Sequence, residues 1–343
     1  MSKAITLWIP DFLNKQRIIE SEQAWSKLEL PALQTLLKKA DLFPTQSVIN
    51  NQPNDFYSTA SNLFHQSPGL PIAATKAAAL LENFNESDFW VKLDPVQMIP
   101  DRDTLILIPA KDLEIKEAEA KALIEVFNQH FKQDKVEIEY GSPTDWFLRI
   151  KQAVDIKSTP LGEVSYSSIE GKYPTGHAAR YWRQLLNEAS MLFYTHQVNE
   201  QRRELGQPEI NGIWLWGEGK LDTSELKARP DAKIWSSNTY LKGMANATQA
   251  QVDGFPDCLQ SCLNSGQDHH LLMPYKLIED LPNFSQEQWL ESVNVLEKEW
   301  MTPLLKALKE KQIDSLLIEV GDGYRYHVQP AHLKRFWRFK NRL

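Results

Sequence analysis

The chain has 343 residues, of which 42% are hydrophobic and 24% charged, and a formal net charge of −7. That balance suits a globular protein of one large domain or two medium ones, and it gives no general attraction to nucleic acid or to an anionic membrane. Two cysteines, Cys258 and Cys262, are too few for a disulfide framework. No run approaches the ~18 apolar residues that span a bilayer, so a reducing, cytoplasmic setting is expected.

In chain order, "ITLWIPDF" is a compact strand that stops at Pro10-Asp11, too short and too acidic for a signal peptide. Leu33, Leu36 and Leu37 share a helical face after Pro31. Residues 44–70, rich in Pro, Asn, Ser and Gln, read as a loop with one helical turn. A helix over Thr75–Asn83 precedes two β-type runs, "DFWVKLDP" and "DTLILIPA", joined through "MIPDRD". A helix over Ile115–Phe131 leads to a strand pair, "VEIEYG" and "DWFLRI". The polar segment 152–176 reads as a hinge or linker.

Trp182, Leu185, Leu186, Ala189, Leu192 and Phe193 then mark one helix over Ala178–Leu205, closed by Gly206-Gln207-Pro208. "GIWLW", apolar on both faces, reads as a central parallel strand running into Gly217-Glu218-Gly219. Strands at 232–236, "HHLLMPY" and "DSLLIEV" alternate with helices near Asn238–Ala245 and over 286–310, the latter opened by Ser285-x-x-Gln288. Such alternation predicts a largely parallel α/β sheet covered by helices on both faces, with ligands at the carboxyl ends of its strands.

On that rule Asp11, the 217–219 turn and Asp322 stand at candidate sites. An aspartate there can ligate a metal, and it equally suits a turn. His196, Asn199, Arg202 and Arg203 lie within two helical turns, where arginine forks can take a phosphate or carboxylate or simply offset the helix dipole in water. His269 and His270 are adjacent on a strand and point to opposite faces, so they do not share an ion. The cysteines lack a partner pair at zinc-site spacing. The tail "HLKRFWRFKNRL" interleaves basic and aromatic residues, as a nucleic-acid surface or as a docked terminal element. No phosphate loop with lysine, no Gly-x-Ser-x-Gly elbow and no His-Glu-x-x-His occurs.

The order of motifs from "DFWVKLDPVQMIPDRDTLILI" through "DWFLRI" to "WRQLLNEASMLFYTHQVNEQRRELGQPEINGIWLWGEGKL" resembles the RpfE-type bacterial regulatory proteins. These are related to the archaeal-type cofactor-independent phosphoglycerate mutases. The signature His-Pro-Val-Asn-x-x-Arg, followed by a Trp-rich strand and a Gly-x-Gly turn, reads here His196-Gln197-Val198-Asn199-Glu200-Gln201-Arg202 and Trp214-Leu215-Trp216-Gly217-Glu218-Gly219. Gln197 stands in for the usual proline.

The resemblance implies an alkaline-phosphatase-like α/β fold: a main domain over 1–70 and 177–343, and an inserted α+β region over 71–176 ending in the linker 152–176. Active members hold two divalent metals, manganese or zinc, that activate a serine nucleophile. Asp11 matches the first metal aspartate, but Phe12 replaces the glycine that follows it. Tyr57 or Ser58 falls at the serine position. "MPYKLIEDLPNF" lacks both expected histidines, and Asp322-Gly323 lacks its own, leaving only His327 or His332 to swing in.

The expectation is therefore a regulatory or ligand-binding protein with a depleted metal site, no membrane contact, and a small anion such as a phosphoglycerate bound near His196, Asn199, Arg202, Gly217 and Gly219. The alternative is a mutase or phosphatase-like enzyme that uses Ser58 with Mn or Zn at Asp11 and Asp322. A third reading is a nucleic-acid-binding regulator working through the basic tail.

Overall fold

The computed structural model describes residues 3–45, 49, 56–64, 66, 69–152 and 154–338. Its strands, among the described residues, are β1 (Ala4–Trp8), β2 (Asp41–Pro44), β3 (Phe89–Asp101), β4 (Thr104–Pro109), β5 (Val136–Tyr140), β6 (Trp146–Ile150), β7 (Gly212–Gly219), β8 (Ala232–Trp235), β9 (Gln251–Asp253), β10 (His269–Leu272), β11 (Ser315–Glu319) and β12 (Tyr324–Val328). They belong to two compact units, Met1–Gly69 with Leu226–Leu343, and Leu70–Glu225.

The larger unit carries a seven-stranded sheet in the order β2-β12-β11-β1-β10-β8-β9. Its centre is parallel, β1 pairing with both β10 and β11, and near one edge β12 is reversed, pairing antiparallel with both β11 and β2. Ile5 and Leu7 of β1, with Ile9 just past its end, join Leu316 and Ile318 of β11 in one buried cluster with the helices Pro31–Lys39, Gln286–Leu296 and Thr302–Lys309. The intervening Trp8 points the other way, as strand alternation requires, and stacks on Phe56 of the helix Phe56–Leu63 with ring centroids 4.8 Å apart. The expected mostly parallel sheet with helices on both faces is therefore present.

Two helices of this unit show how distant residues close local structure. The capping box is formed: Ser285 Oγ accepts from Gln288 N–H at 3.2 Å, and Gln288 Oε1 accepts from Ser285 N–H at 2.8 Å. The single helix expected over 286–310 passes instead through a π-helical stretch, Glu297–Met301, just before Pro303. That stretch aims the buried Glu297 carboxylate at the first turn of the helix Pro31–Lys39, where it accepts from Ala32 N–H at 2.7 Å and Leu33 N–H at 2.9 Å. Those amide groups have no partner within their own helix.

The smaller unit is an antiparallel sheet, β4-β3-β6-β5, with β7 beside β3. This corrects two expectations. β7 is not a central parallel strand of the main sheet, because it runs antiparallel to the long β3, Asp94 opposite Trp214. The unit also extends to Glu225 rather than ending at 176, since β7 and the helix Ala179–Tyr194 share its core with Leu93, Leu123 and Leu148. Nor is 152–176 a free linker. Ser165 and Ser168 bridge to β4, and Thr159 O accepts from Trp214 Nε1 at 2.9 Å.

Inside this unit Lys92 is fully buried in β3, where Nζ lies 2.7 Å from Asp94 Oδ1, 3.1 Å from Thr144 O and 3.5 Å from Asp145 Oδ1. Trp216 Nε1 donates to the other oxygen of Asp94. Burial opposes ionisation of Asp145, yet the Lys92 and Lys76 cations overcome it and hold that carboxyl well below its ordinary range. Lys92→Met leaves Asp94 buried without its cation. It is expected to destabilise the protein by about 3 kcal/mol in urea unfolding, and a loss under about 1 kcal/mol would show that the network contributes little.

Candidate functional site

The carboxyl ends of β1 and β11 meet in the larger unit. Past Trp8 the ladder continues, with Ile9 N–H donating to Glu319 O at 2.8 Å and Leu13 N–H to Val320 O at 2.6 Å. Between these bonds Asp11 takes a left-handed conformation, φ +55°, opposite Gly321 at φ +84°. A side chain at 321 would sit 2.3 Å from Asp11 Cα, so only glycine permits the two loops to touch. The structure thus brings together the two sequence-predicted metal aspartates, Asp11 and Asp322, and adds Glu319, which the sequence reading did not single out.

Glu319 has no exposed surface. Its Oε1 accepts from Gly321 N–H at 3.0 Å, while Oε2 has no hydrogen-bond partner. Burial foremost, helped by the neighbouring Asp322 and Asp11 charges and opposed by Gly321 N–H and Arg325, pushes its pKa up to about 7. Burial likewise raises Asp322, whose carboxylate accepts from Tyr324 N–H at 3.0 Å and from the Tyr326 hydroxyl. Partial desolvation raises Asp11, with Arg17 pulling the other way. Trp8, Glu319 and Arg325 occupy one row across β1, β11 and β12. Trp8 Nε1, Glu319 Oε2 and Arg325 Nε are all buried without a partner. Folded proteins leave few such atoms, and three in one row single out this strand end.

The pair of divalent metals implied by the resemblance does not fit here. Such sites combine imidazoles with carboxylates from several strand ends, whereas among the described residues the donors near this one are Asp11, Glu319 and Asp322. Among the described residues no three His, Cys, Asp or Glu side chains are grouped to hold an ion. His327 and His332 do not swing in: His327 bonds Ser315 across 2.8 Å, and His332 faces Asp41 at 3.6 Å. Ser58 sits on the exposed side of the helix Phe56–Leu63, which Phe56 anchors beside Trp8.

The anion-binding set expected in the smaller unit is occupied by the protein itself. The helix expected over 178–205 breaks at Thr195-His196, and His196 caps the second piece, Gln197–Glu204, with Nδ1 accepting from Val198 N–H at 3.2 Å. Asn199, fully buried, donates to Phe193 O and Ile210 O at 2.7 and 2.9 Å and accepts from Ile210 N–H at 2.8 Å. Arg202 donates to Pro208 O at 2.6 Å, to Glu119 at 2.8 Å and to Leu113 O. These residues tie the helix end to the segment 208–210 that leads into β7 and to Leu113 and Glu119. Gly217 and Gly219 answer to close packing, since a Cβ would meet Ile72 at 3.0 Å and Pro71 at 2.5 Å. In the tail, Arg335 and Arg338 are tied to Asp41 at 2.6 and 2.9 Å, and 339–343 lie outside the described residues. No helix among the described residues is long and apolar enough to cross a membrane.

Because folding raises the Glu319 pKa from 4.5 to about 7, the native state binds more protons than the unfolded chain between those values. Stability is therefore highest below that window and falls as pH rises through it. Glu319→Gln, which imitates the protonated acid, is expected to flatten this fall and to stabilise the protein by on the order of 2 kcal/mol near pH ~8, with no gain near pH ~5. Urea titrations at the two pH values measure it. An equal loss at both would mean that the carboxylate is ionised and paired.

No family model matches the chain. A probable 2,3-bisphosphoglycerate-independent phosphoglycerate mutase of Geobacter sulfurreducens is 25% identical over 146 residues, 42% of this chain and 37% of that protein. The corresponding enzyme of Methanosarcina barkeri is 26% identical over 136 residues, 38% of this chain and 34% of the relative. The matched stretch thus spans little more than a third of these relatives' length. Among solved structures, the PH0037 protein from Pyrococcus horikoshii aligns with a TM-score of 0.62 at 12% identity, covering 96% of this chain and 88% of that one. The cofactor-independent phosphoglycerate mutase from Thermoplasma acidophilum aligns with a TM-score of 0.53 at 14% identity, covering 95% and 90%. The chain is homologous over part of its length to archaeal-type cofactor-independent phosphoglycerate mutases, and its fold is the alkaline-phosphatase-like fold of those neighbours.

Proposed function

We propose that this protein is a regulatory, ligand-binding protein of the RpfE type on a phosphoglycerate-mutase-like scaffold, without the two-metal phosphoryl-transfer centre. The observation that carries the reading is the Glu319 environment, a fully buried carboxyl with raised pKa between two further carboxyls whose pKa values are also raised. Phosphoryl transfer needs fixed positive charge where the transferring group sits, both to bind it and to acidify the serine. Here the strand ends gather three carboxyls instead, and each that is ionised repels a phosphate dianion brought to it. The ligand class in this reading remains a compact phosphorylated or carboxylated anion, bound away from these acids.

Metal analysis of the purified protein tests the proposal together with an assay for interconversion of 3- and 2-phosphoglycerate in the presence of manganese or zinc. The expected outcome is substoichiometric metal and no turnover above background. Stoichiometric metal with turnover that Asp11→Asn abolishes would establish the enzyme instead.

A further inference from the structure

At the amino ends of the same strands the chemistry reverses. A cavity of about 230 Å³ opens there, lined by Thr6 of β1, Ser315 of β11, His327 of β12, His269 of β10 and Arg229, with Phe64 against it. Among the described residues no carboxylate lines it, although acids outnumber Lys and Arg by 45 to 38 in the sequence. Its volume lies below the usual ~300–1,000 Å³ of drug-sized sites and suits a compact guest.

The polar groups are held in place. Arg229, 6% exposed, donates from its NH1 to Phe64 O at 3.2 Å, and its guanidinium lies 5.0 Å from the Phe64 ring centre. Asp231, which does not line the cavity, braces both side chains, 3.4 Å from Arg229 Nε and 3.2 Å from His269 Nε2. Ser315 Oγ and His327 Nε2 are 2.8 Å apart. The adjoining His270 accepts from Trp235 Nε1 at 3.1 Å, with its Nε2 3.2 Å from Gln267 O. Burial foremost, and then the charges of Lys3, Lys233 and His269, push its pKa down to about 4. The cavity is thus ringed by hydroxyl, imidazole and guanidinium groups.

We propose that a compact oxyanion, a carboxylate or a phosphate monoester, binds in this cavity through Arg229, His269, Thr6, Ser315 and His327. The inference rests on the ligand-binding reading and gives it a location. A planar guanidinium and convergent hydroxyls match an oxyanion's several acceptors, and a half-buried setting strengthens each bond relative to open water.

The test follows the imidazole resonances of the full chain by NMR during titration with inorganic phosphate, 3-phosphoglycerate and acetate. Saturable shifts of His327 and His269 are expected, with response to the phosphates alone or to acetate alone identifying which oxyanion is taken. Ser315→Ala and His327→Gln should each weaken binding about tenfold, while Glu319→Gln leaves it unchanged. The proposal is overturned if neither imidazole shifts with any of the three probes, or if binding is indifferent to both substitutions. Binding that survives both and is lost in Asp11→Asn would move the ligand to the strand ends, which refutes this location and leaves the ligand-binding reading standing. That reading instead fails on metal-dependent turnover, which the imidazole titration does not measure.

Discussion

The parallel pairing of β1 with β11 is the constraint on which the larger unit is built. It runs in register from Ala4 opposite Ser315 to Trp8 opposite Glu319. One face of the pair supplies Leu7 and Ile318 to the main core, and the other carries the polar chemistry. At the carboxyl end the pairing forces Asp11 against Gly321 and leaves Glu319 sealed between Trp8 and Arg325. At the amino end it opens onto Thr6 and Ser315. A single ladder thus separates an acid-rich end from a donor-rich end.

The smaller unit spends its charges internally. Lys92 and Lys76 balance Asp94 and Asp145, and Arg202 spends its fork on two carbonyls and one carboxylate. Buried groups of this sort cost more to leave unpaired than they gain when paired, so their value lies in fixing one arrangement of strand and helix. The two tryptophans of "GIWLW" belong to that scheme, one indole bound to Thr159 O and the other to Asp94.

Much of the architecture was legible in the residue pattern because burial alternates with a period the eye can follow. Ile5, Leu7 and Ile9, the capping box at Ser285, and the helix signals near Pro31 and Asn238 all lie where their spacing puts them. The edge strands β2 and β9 escaped it, being four and three residues long with exposed positions and no alternating core face. Pairing direction also escaped it, for a strand apolar on both faces reads alike in either sheet, and only the antiparallel pairing with β3 distinguishes the place of β7. The site was harder still. Nothing in "HQVNEQRRELG" tells whether an arginine meets a ligand or Leu113 O, because that partner lies 89 residues away. The signal that could have found the strand-end acid was present: Glu319 is the lone charge in "SLLIEV", an ionisable group in a strand otherwise built to be buried.

The Glu297 cap on the helix Pro31–Lys39 carries a consequence for how the chain is made. That helix has two amide groups satisfied by a residue more than 260 positions downstream. Strand β1 finds neither neighbour until His269–Leu272 and Ser315–Glu319 have been synthesised. The contiguous Leu70–Glu225 unit needs no such wait. On the ribosome the order of completion therefore inverts the order of sequence: the inserted unit can mature first, while the opening apolar strand stays unpaired and depends on its own solubility, or on chaperones, until the later residues arrive.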